Sequence, residues 1–76
     1  MAQANYKQIE RAILARENFR GNSCFGMWVG GDYKIASYNT LIAESRADGT
    51  LYFNERKYSQ TTSKLQNIIR RAWGIK

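Results

Sequence analysis

A stretch near the end of the chain combines hydroxyl and cationic side chains in a way that could hold a phosphate group. The hydroxyls belong to Ser59, Thr61, Thr62 and Ser63, and the cations belong to Arg56, Lys57 and Lys64. If a helix begins within this stretch, its free N–H groups and the positive end of its dipole would also attract an anion. Because Ser and Thr are the preferred N-terminal caps of helices in general, capping alone is the competing explanation.

The helix that would position these side chains is predicted over residues 58–73. An apolar series recurs there at the spacing of one helical face: Leu65, Ile68, Ile69, Ala72 and Trp73. Ser63 and Gln66 have the three-residue separation of a capping box, which predicts a polar start to this helix. The segment is therefore expected to pack one face against the core.

The opposite face of the same helix is a second candidate site. Asn67, Arg70 and Arg71 are expected to point away from the core. An arginine there could contact phosphates or guanine edges, and an asparagine could contact adenine. A solvated face whose arginines complement the negative end of the helix dipole explains the same residues.

Aromatic side chains form a third candidate, because five tyrosines, three phenylalanines and two tryptophans are more than a thin core needs. Some of the tyrosines at positions 33, 38, 52 and 58 must lie near the surface. There they could stack on unpaired bases or anchor a protein interface. Phe25, Trp28, Phe53 and Trp73 are expected to pack in the core.

Net charge is concentrated in the last third of the chain. Residues 55–76 contain six basic residues and one acidic residue, which gives +5, whereas residues 1–54 contain six basic and five acidic residues, which gives +1. This polarity favours a polyanion or an acidic protein surface as the partner. A solvated basic face is the alternative.

Several kinds of chemistry are excluded by composition. The chain has no histidine, so histidine-based acid–base catalysis and a structural zinc site are not expected, and its single cysteine, Cys24, cannot form an intramolecular disulfide. Cys24 is expected to be buried at a strand edge. Glu44, Asp48 and Glu55 are too dispersed for a metal or paired-carboxylate site. These features predict a protein that is not an enzyme and uses no cofactor.

The predicted fold is a single α+β domain over residues 1–76. A first helix is expected over residues 5–17, with Asn5 as its N-cap, Gln8 reaching back to that cap, and Gly21 as the stop. Period-two runs separated by turn residues predict strands at 24–29, 33–38, 40–44 and 50–54. The order is α-β-β-β-β-α, an antiparallel meander with both helices on one face. A three-stranded version, with residues 22–26 as loop, is the alternative.

Apolar runs are too short for a membrane span, and the N-terminus lacks a signal-peptide core. The sequence therefore predicts no membrane association and a cytosolic location.

Three motifs give the chain a resemblance to other proteins. They are the Gly-Asn-Ser run at 21–23, SYNTLIAE at 37–44 and NERKYSQTTSKLQNIIRRA at 54–72. In these motifs, which cover most of the chain after residue 18, it resembles a group of small uncharacterised proteins from phages and mobile elements. The resemblance implies a viral or mobile-element accessory protein and implies no mechanism.

Three functions remain compatible with these features. The first is a nucleic-acid-binding accessory protein that uses the basic second helix and its hydroxyl-rich start. The second is an inhibitor or adaptor of anti-CRISPR type, which would bind an acidic or nucleic-acid-handling host protein. The third is a small phage assembly protein that self-associates, for example as a homodimer.

Overall fold

The computed structural model describes residues 5–21 and 23–75, so Asn22 of the Gly-Asn-Ser run and the basic Lys76 lie outside the described residues. The elements are α1 (Tyr6–Ala15), β1 (Phe19–Arg20), β2 (Cys24–Val29), β3 (Asp32–Ser37), β4 (Thr40–Ser45), β5 (Leu51–Phe53) and α2 (Gln60–Trp73). The strands form one antiparallel sheet in the order β1-β2-β3-β4-β5. The predicted α+β meander is confirmed, and the three-stranded alternative is wrong.

Strand β1 is the element that the sequence did not predict. It pairs Phe19 with Gly26 and Arg20 with Phe25. Two residues are too few to produce a period-two pattern, so the strand exists only through its partner. Gly26 makes this pairing possible, because a Cβ there would lie 2.3 Å from the Phe19 ring.

The start of α1 follows local sequence rules. The Asn5 side chain accepts a hydrogen bond from the Gln8 amide, and the Gln8 side chain accepts one from the Asn5 amide, each at 2.9 Å. This capping box confirms the predicted start. The helix ends before Gly21, however, because Arg16 takes a left-handed backbone conformation with φ of 53°. Gly21 is instead packed against Cys24, whose Sγ would lie 2.9 Å from an added Cβ.

Helix α2 begins at Gln60, and its cap differs from the prediction. Ser59 is the N-cap and accepts from the Thr62 amide at 3.4 Å, so the predicted capping box of Ser63 and Gln66 is wrong. Gln66 is buried, and its side-chain amide donates to the carbonyls of Asn54 at 2.7 Å and Arg56 at 2.9 Å. Gln66 thereby fixes the β5–α2 loop to the helix.

The core lies between the helices and one face of the sheet. It contains Ile9, Ile13, Tyr33, Ile35, Ile42, Ala43, Leu65, Ile68 and Ile69. Tyr33, Ile35 and Ser37 alternate along β3, and all three are buried. A bulge in the β3–β4 pairing lets two consecutive residues of β4, Ile42 and Ala43, enter the core.

Two aromatic predictions are wrong. Phe25 is 38% exposed because it lies on the sheet face away from the helices, and Trp28 is 48% exposed. The Trp28 indole nevertheless donates to the Arg16 carbonyl at 2.7 Å. Phe53 and Trp73 do pack against the core.

Cys24, expected to be buried at a strand edge, is half-buried at the first residue of β2. Burial raises the pKa of its thiol, which keeps the sulfur protonated and a weak nucleophile.

Candidate functional site

The two helices lie side by side and run in the same direction. Lys64 near the start of α2 places its Nζ 5.7 Å from the centre of the Tyr6 ring at the start of α1. At the other end, the Trp73 indole donates to the Ile13 carbonyl at 3.2 Å. Because these contacts follow the same chain order on both helices, the N-termini of α1 and α2 lie at the same end of the molecule.

The outer face of this helix pair carries a group of exposed polar and cationic side chains. We call it the basic helix surface, and its members are Lys7, Arg11, Lys64, Asn67 and Arg71. On each helix these positions lie opposite the buried isoleucine and leucine positions. Within the described helices, Glu10 is the one carboxylate. The surface therefore has an excess of positive charge that comes from both helices.

Arg71 reaches across the helix pair to Glu10. Its Nη2 lies 3.7 Å from a Glu10 carboxylate oxygen, and the two side chains are 67% and 37% exposed. Solvent screens such a pair strongly, so its contribution to stability is small. The guanidinium group remains accessible to a partner.

Arg70 does not belong to this surface, and the prediction that it points away from the core is wrong. Its guanidinium lies 5.2 Å from the centre of the Phe53 ring, and its Nε is buried without a hydrogen-bond partner. Arg70 follows Gln66 by one helical turn, on the flank of α2 that packs against β5 and the loop after it. The predicted trio is thus divided: Asn67 and Arg71 are exposed, and Arg70 is a packing residue.

The hydroxyls at the start of α2 do not converge on one site. Thr62 is only 4% exposed, and its hydroxyl is hydrogen-bonded to that of Ser37 at 2.9 Å. The Ser59 side chain is occupied as the N-cap, and Ser63 is half-buried. Thr61 is exposed at the mouth of a cavity. Capping and packing therefore account for Ser59 and Thr62.

The cations of the same stretch are accessible. Arg56, Lys57 and Lys64 are all exposed, the first two on the loop that precedes Ser59. They extend the positive charge of the basic helix surface toward the N-terminal end of α2. At this end a cavity of about 370 Å³ separates the helix starts from the sheet, lined by Asn5, Tyr6, Ser23, Cys24 and Thr61 among others.

Sequence reasoning missed a second surface, on the sheet face away from the helices. We call it the open sheet face. Register and exposure place on it Arg20, Phe25, Met27, Val29, Asp32, Lys34, Leu41, Glu44 and Tyr52. Phe25, Met27 and Val29 alternate along β2, and this spacing was a detectable signal. It was missed because Phe25 was assigned to the core.

Glu44 lies at the centre of the open sheet face between two cations. Lys34 Nζ is 2.8 Å from one carboxylate oxygen, and Arg46 Nε is 2.6 Å from the other. Hydrogen bonds from Lys34 and Arg46 lower the pKa of Glu44. The carboxylate is only 6% exposed and has both oxygens engaged, so it serves the structure of the sheet.

Metal-binding clusters and membrane-spanning helices are both absent from the described residues. Among residues 5–21 and 23–75, no three His, Cys, Asp or Glu side chains are grouped so that they could hold a metal ion. Neither helix in this part of the chain has the length and apolar character needed to cross a membrane.

Comparison with known proteins gives a family and no activity. Residues 4–71 match the model of a family of unknown function, DUF8033, so the chain belongs to that family. No curated protein and no solved structure showed a match to the chain.

Proposed function

We propose that this member of the DUF8033 family is a non-enzymatic protein that binds nucleic acid through the basic helix surface. The observation that carries the proposal is the parallel pairing of α1 and α2. It brings Lys7, Arg11, Lys64 and Arg71 to one face with Glu10 as the single carboxylate. A face of this kind attracts phosphates whatever the base sequence, because the attraction comes from charge and from released counterions.

The dipoles of the helices add to this attraction. Their positive ends lie at the same end of the molecule, where Lys64 and the loop cations Arg56 and Lys57 are also exposed. Asn67, on the same outer face, offers a hydrogen-bonding amide to a base edge or a phosphate. The proposal therefore expects phosphate contacts to dominate affinity and base contacts to contribute little.

The test is retardation of a labelled DNA duplex by the purified chain at low ionic strength. Lys7→Gln combined with Lys64→Gln should weaken binding by about 10-fold or more, because two phosphate contacts are lost. Lys7→Arg combined with Lys64→Arg is the matched control, since it changes the same two side chains and keeps both positive charges. Failure to retard DNA or RNA would refute the proposal, and so would equal weakening by the control.

An acidic protein surface is the competing partner for the same cations. In an inhibitor, the same cations would bind an acidic surface of a host nucleic-acid enzyme or defence complex. A partner that still co-purifies after nuclease treatment would favour the inhibitor, whereas an association that nuclease abolishes favours nucleic acid.

A phage or mobile-element origin and a cytosolic location are part of the proposal. The resemblance of the motifs at 37–44 and 54–72 supports the origin. Nucleic acid is available in the cytosol, which makes that compartment consistent with the proposed binding.

A further inference from the structure

The open sheet face has an unusual amount of exposed apolar and aromatic surface. Phe25, Met27 and Val29 are 38%, 43% and 47% exposed along β2, and Tyr52 is 37% exposed on β5. Both helices pack on the other face, and no described element covers this one. Exposed apolar surface of this extent on a small protein indicates a contact site.

The accessible charges of this face are mainly cationic, and Asp32, which pairs with Val29, is its half-exposed carboxylate. Glu44 is 6% exposed beneath Lys34 and Arg46, whose side chains are 34% and 46% exposed. Arg20 is exposed beside Phe25, its partner in the β1–β2 pairing. The occupant should therefore combine flat apolar groups with negative charge. A second copy of this chain would bring like charges together.

Tyr38, at the β3–β4 turn, adds an aromatic ring at the margin of the face, and its other side lines a pocket with Tyr58 and Ser59. It is 64% exposed and has a backbone φ of 56°, a conformation that suits glycine and is rare for a bulky residue. Its ring borders a shallow depression of about 320 Å³ lined by Phe25, Met27, Lys34 and Leu41 among others. The two-residue hairpin loop between Ser37 and Thr40 accounts for the positive φ, and it holds the Tyr38 ring out toward solvent beside this depression.

We infer that the open sheet face binds an unpaired nucleic-acid strand. Bases stack on Phe25, Tyr38 and Tyr52, and the phosphates lie near Arg20, Lys34 and Arg46. Unpaired strands have this combination of exposed base faces and negative charge. Proteins that bind them use aromatic rings to stack on the bases and nearby cations to contact the phosphates. The inference rests on the proposed nucleic-acid binding and assigns single strands to a second face of the molecule.

The experiment measures fluorescence anisotropy of a labelled oligothymidylate and a labelled oligouridylate, each about 12 nucleotides long, within the range of site sizes for such surfaces. Phe25→Ala should weaken binding of the single strands by about 5- to 100-fold, the range for loss of one stacked base. Leu51→Ala is the matched control, because Leu51 is also an exposed apolar strand residue but pairs with Ser45 on the helix side. The affinity of the Leu51→Ala variant for the single strands should equal that of the wild type.

Tyr38→Gly separates a ligand contact from a structural role. Glycine relieves the strained φ, so the melting temperature should stay the same or rise while affinity for the single strands falls. A fall in affinity with a preserved fold supports the inference. Unchanged affinity in both Phe25→Ala and Tyr38→Gly overturns it.

The two proposals fail in distinguishable ways. If single-strand affinity falls in Lys7→Gln with Lys64→Gln but in neither Phe25→Ala nor Tyr38→Gly, the open sheet face is not the site and the proposed function stands. If duplex binding is absent but binding of single strands requires Phe25, the proposal for the basic helix surface is wrong and the inference for the open sheet face holds. A wild-type dimer that Phe25→Ala dissociates, without any effect on oligonucleotides, overturns the inference in favour of self-association.

Discussion

Arg70 lies over the ring of Phe53, with its guanidinium carbon 5.2 Å from the ring centre, whereas the next residue, Arg71, is 67% exposed beside Glu10. One helical step of about 100° separates a packing arginine from a surface arginine. The two arginines of α2 therefore have different roles: Arg70 packs against Phe53, and Arg71 belongs to the basic helix surface.

The first prediction follows from this difference. Arg70→Ala should lower the free energy of unfolding by about 1–2 kcal/mol, because it removes a cation–π contact and the packing of the alkyl stem. Arg71→Ala should change it by less than about 0.5 kcal/mol, as for other exposed ion pairs. Urea unfolding measures both. Equal destabilisation by the two variants would contradict the assignment.

Removal of the Glu10 charge should strengthen DNA binding. Glu10→Gln removes the one carboxylate of the described helices and frees Arg71. Affinity for a DNA duplex should rise about threefold, since an exposed charge interaction is worth roughly 0.5–1 kcal/mol. Gel retardation at constant salt provides the measurement. Glu17→Gln, outside the helices, makes the same charge change and should have a smaller effect.

The buried Ser37–Thr62 hydrogen bond joins β3 to α2. Ser37→Ala should destabilise the fold by about 1–3 kcal/mol, because it leaves a buried hydroxyl with a poorer partner. Thr62→Val together with Ser37→Ala removes both hydroxyls and should cost less than the sum of the single changes. A double-mutant cycle by urea unfolding gives the coupling energy. Additive effects would show that the bond contributes nothing.

Glu44 predicts a pH dependence of stability. Lys34 and Arg46 lower its pKa in the folded state below the ordinary value of 4.5, so the unfolded chain takes up the proton first as pH falls. The stabilisation from Glu44 is therefore fully present above about pH 4.5 and is lost as pH falls through the folded-state pKa. Urea unfolding of wild type and Glu44→Gln between pH 7 and pH 3 should show a difference that shrinks with acid. A constant difference would contradict this role.

Features that depend on residues close together in the chain could be predicted from the sequence. Asn5 and Gln8 are three residues apart and form their capping box without help from the rest of the chain. The alternation of Tyr33, Ile35 and Ser37 places them on one face of a strand, and the structure shows that this face of β3 is buried. Gly30 and Gly31 have positive φ at the β2–β3 turn, where the sequence places glycines.

Contacts between residues far apart in the chain could not be predicted from the sequence. Thr62 is buried because Ser37, 25 residues earlier, lies beneath it. The position of Arg70 depends on β5, and the exposure of Phe25 depends on which face of the sheet the helices cover. Three of the predicted binding residues therefore have different surroundings: Thr62 is buried, Arg70 is half-buried against Phe53, and Ser59 is a cap.

The salt dependence of duplex binding is the sharpest test of the basic helix surface as the nucleic-acid interface. The slope of log K against log salt should be about −3 to −4 for the wild type if the exposed cations of both helices contact phosphates. It should become less steep by about 1.8 in Lys7→Gln combined with Lys64→Gln, which removes two of those contacts. An unchanged slope in this variant would contradict the assignment of the basic helix surface as the nucleic-acid interface.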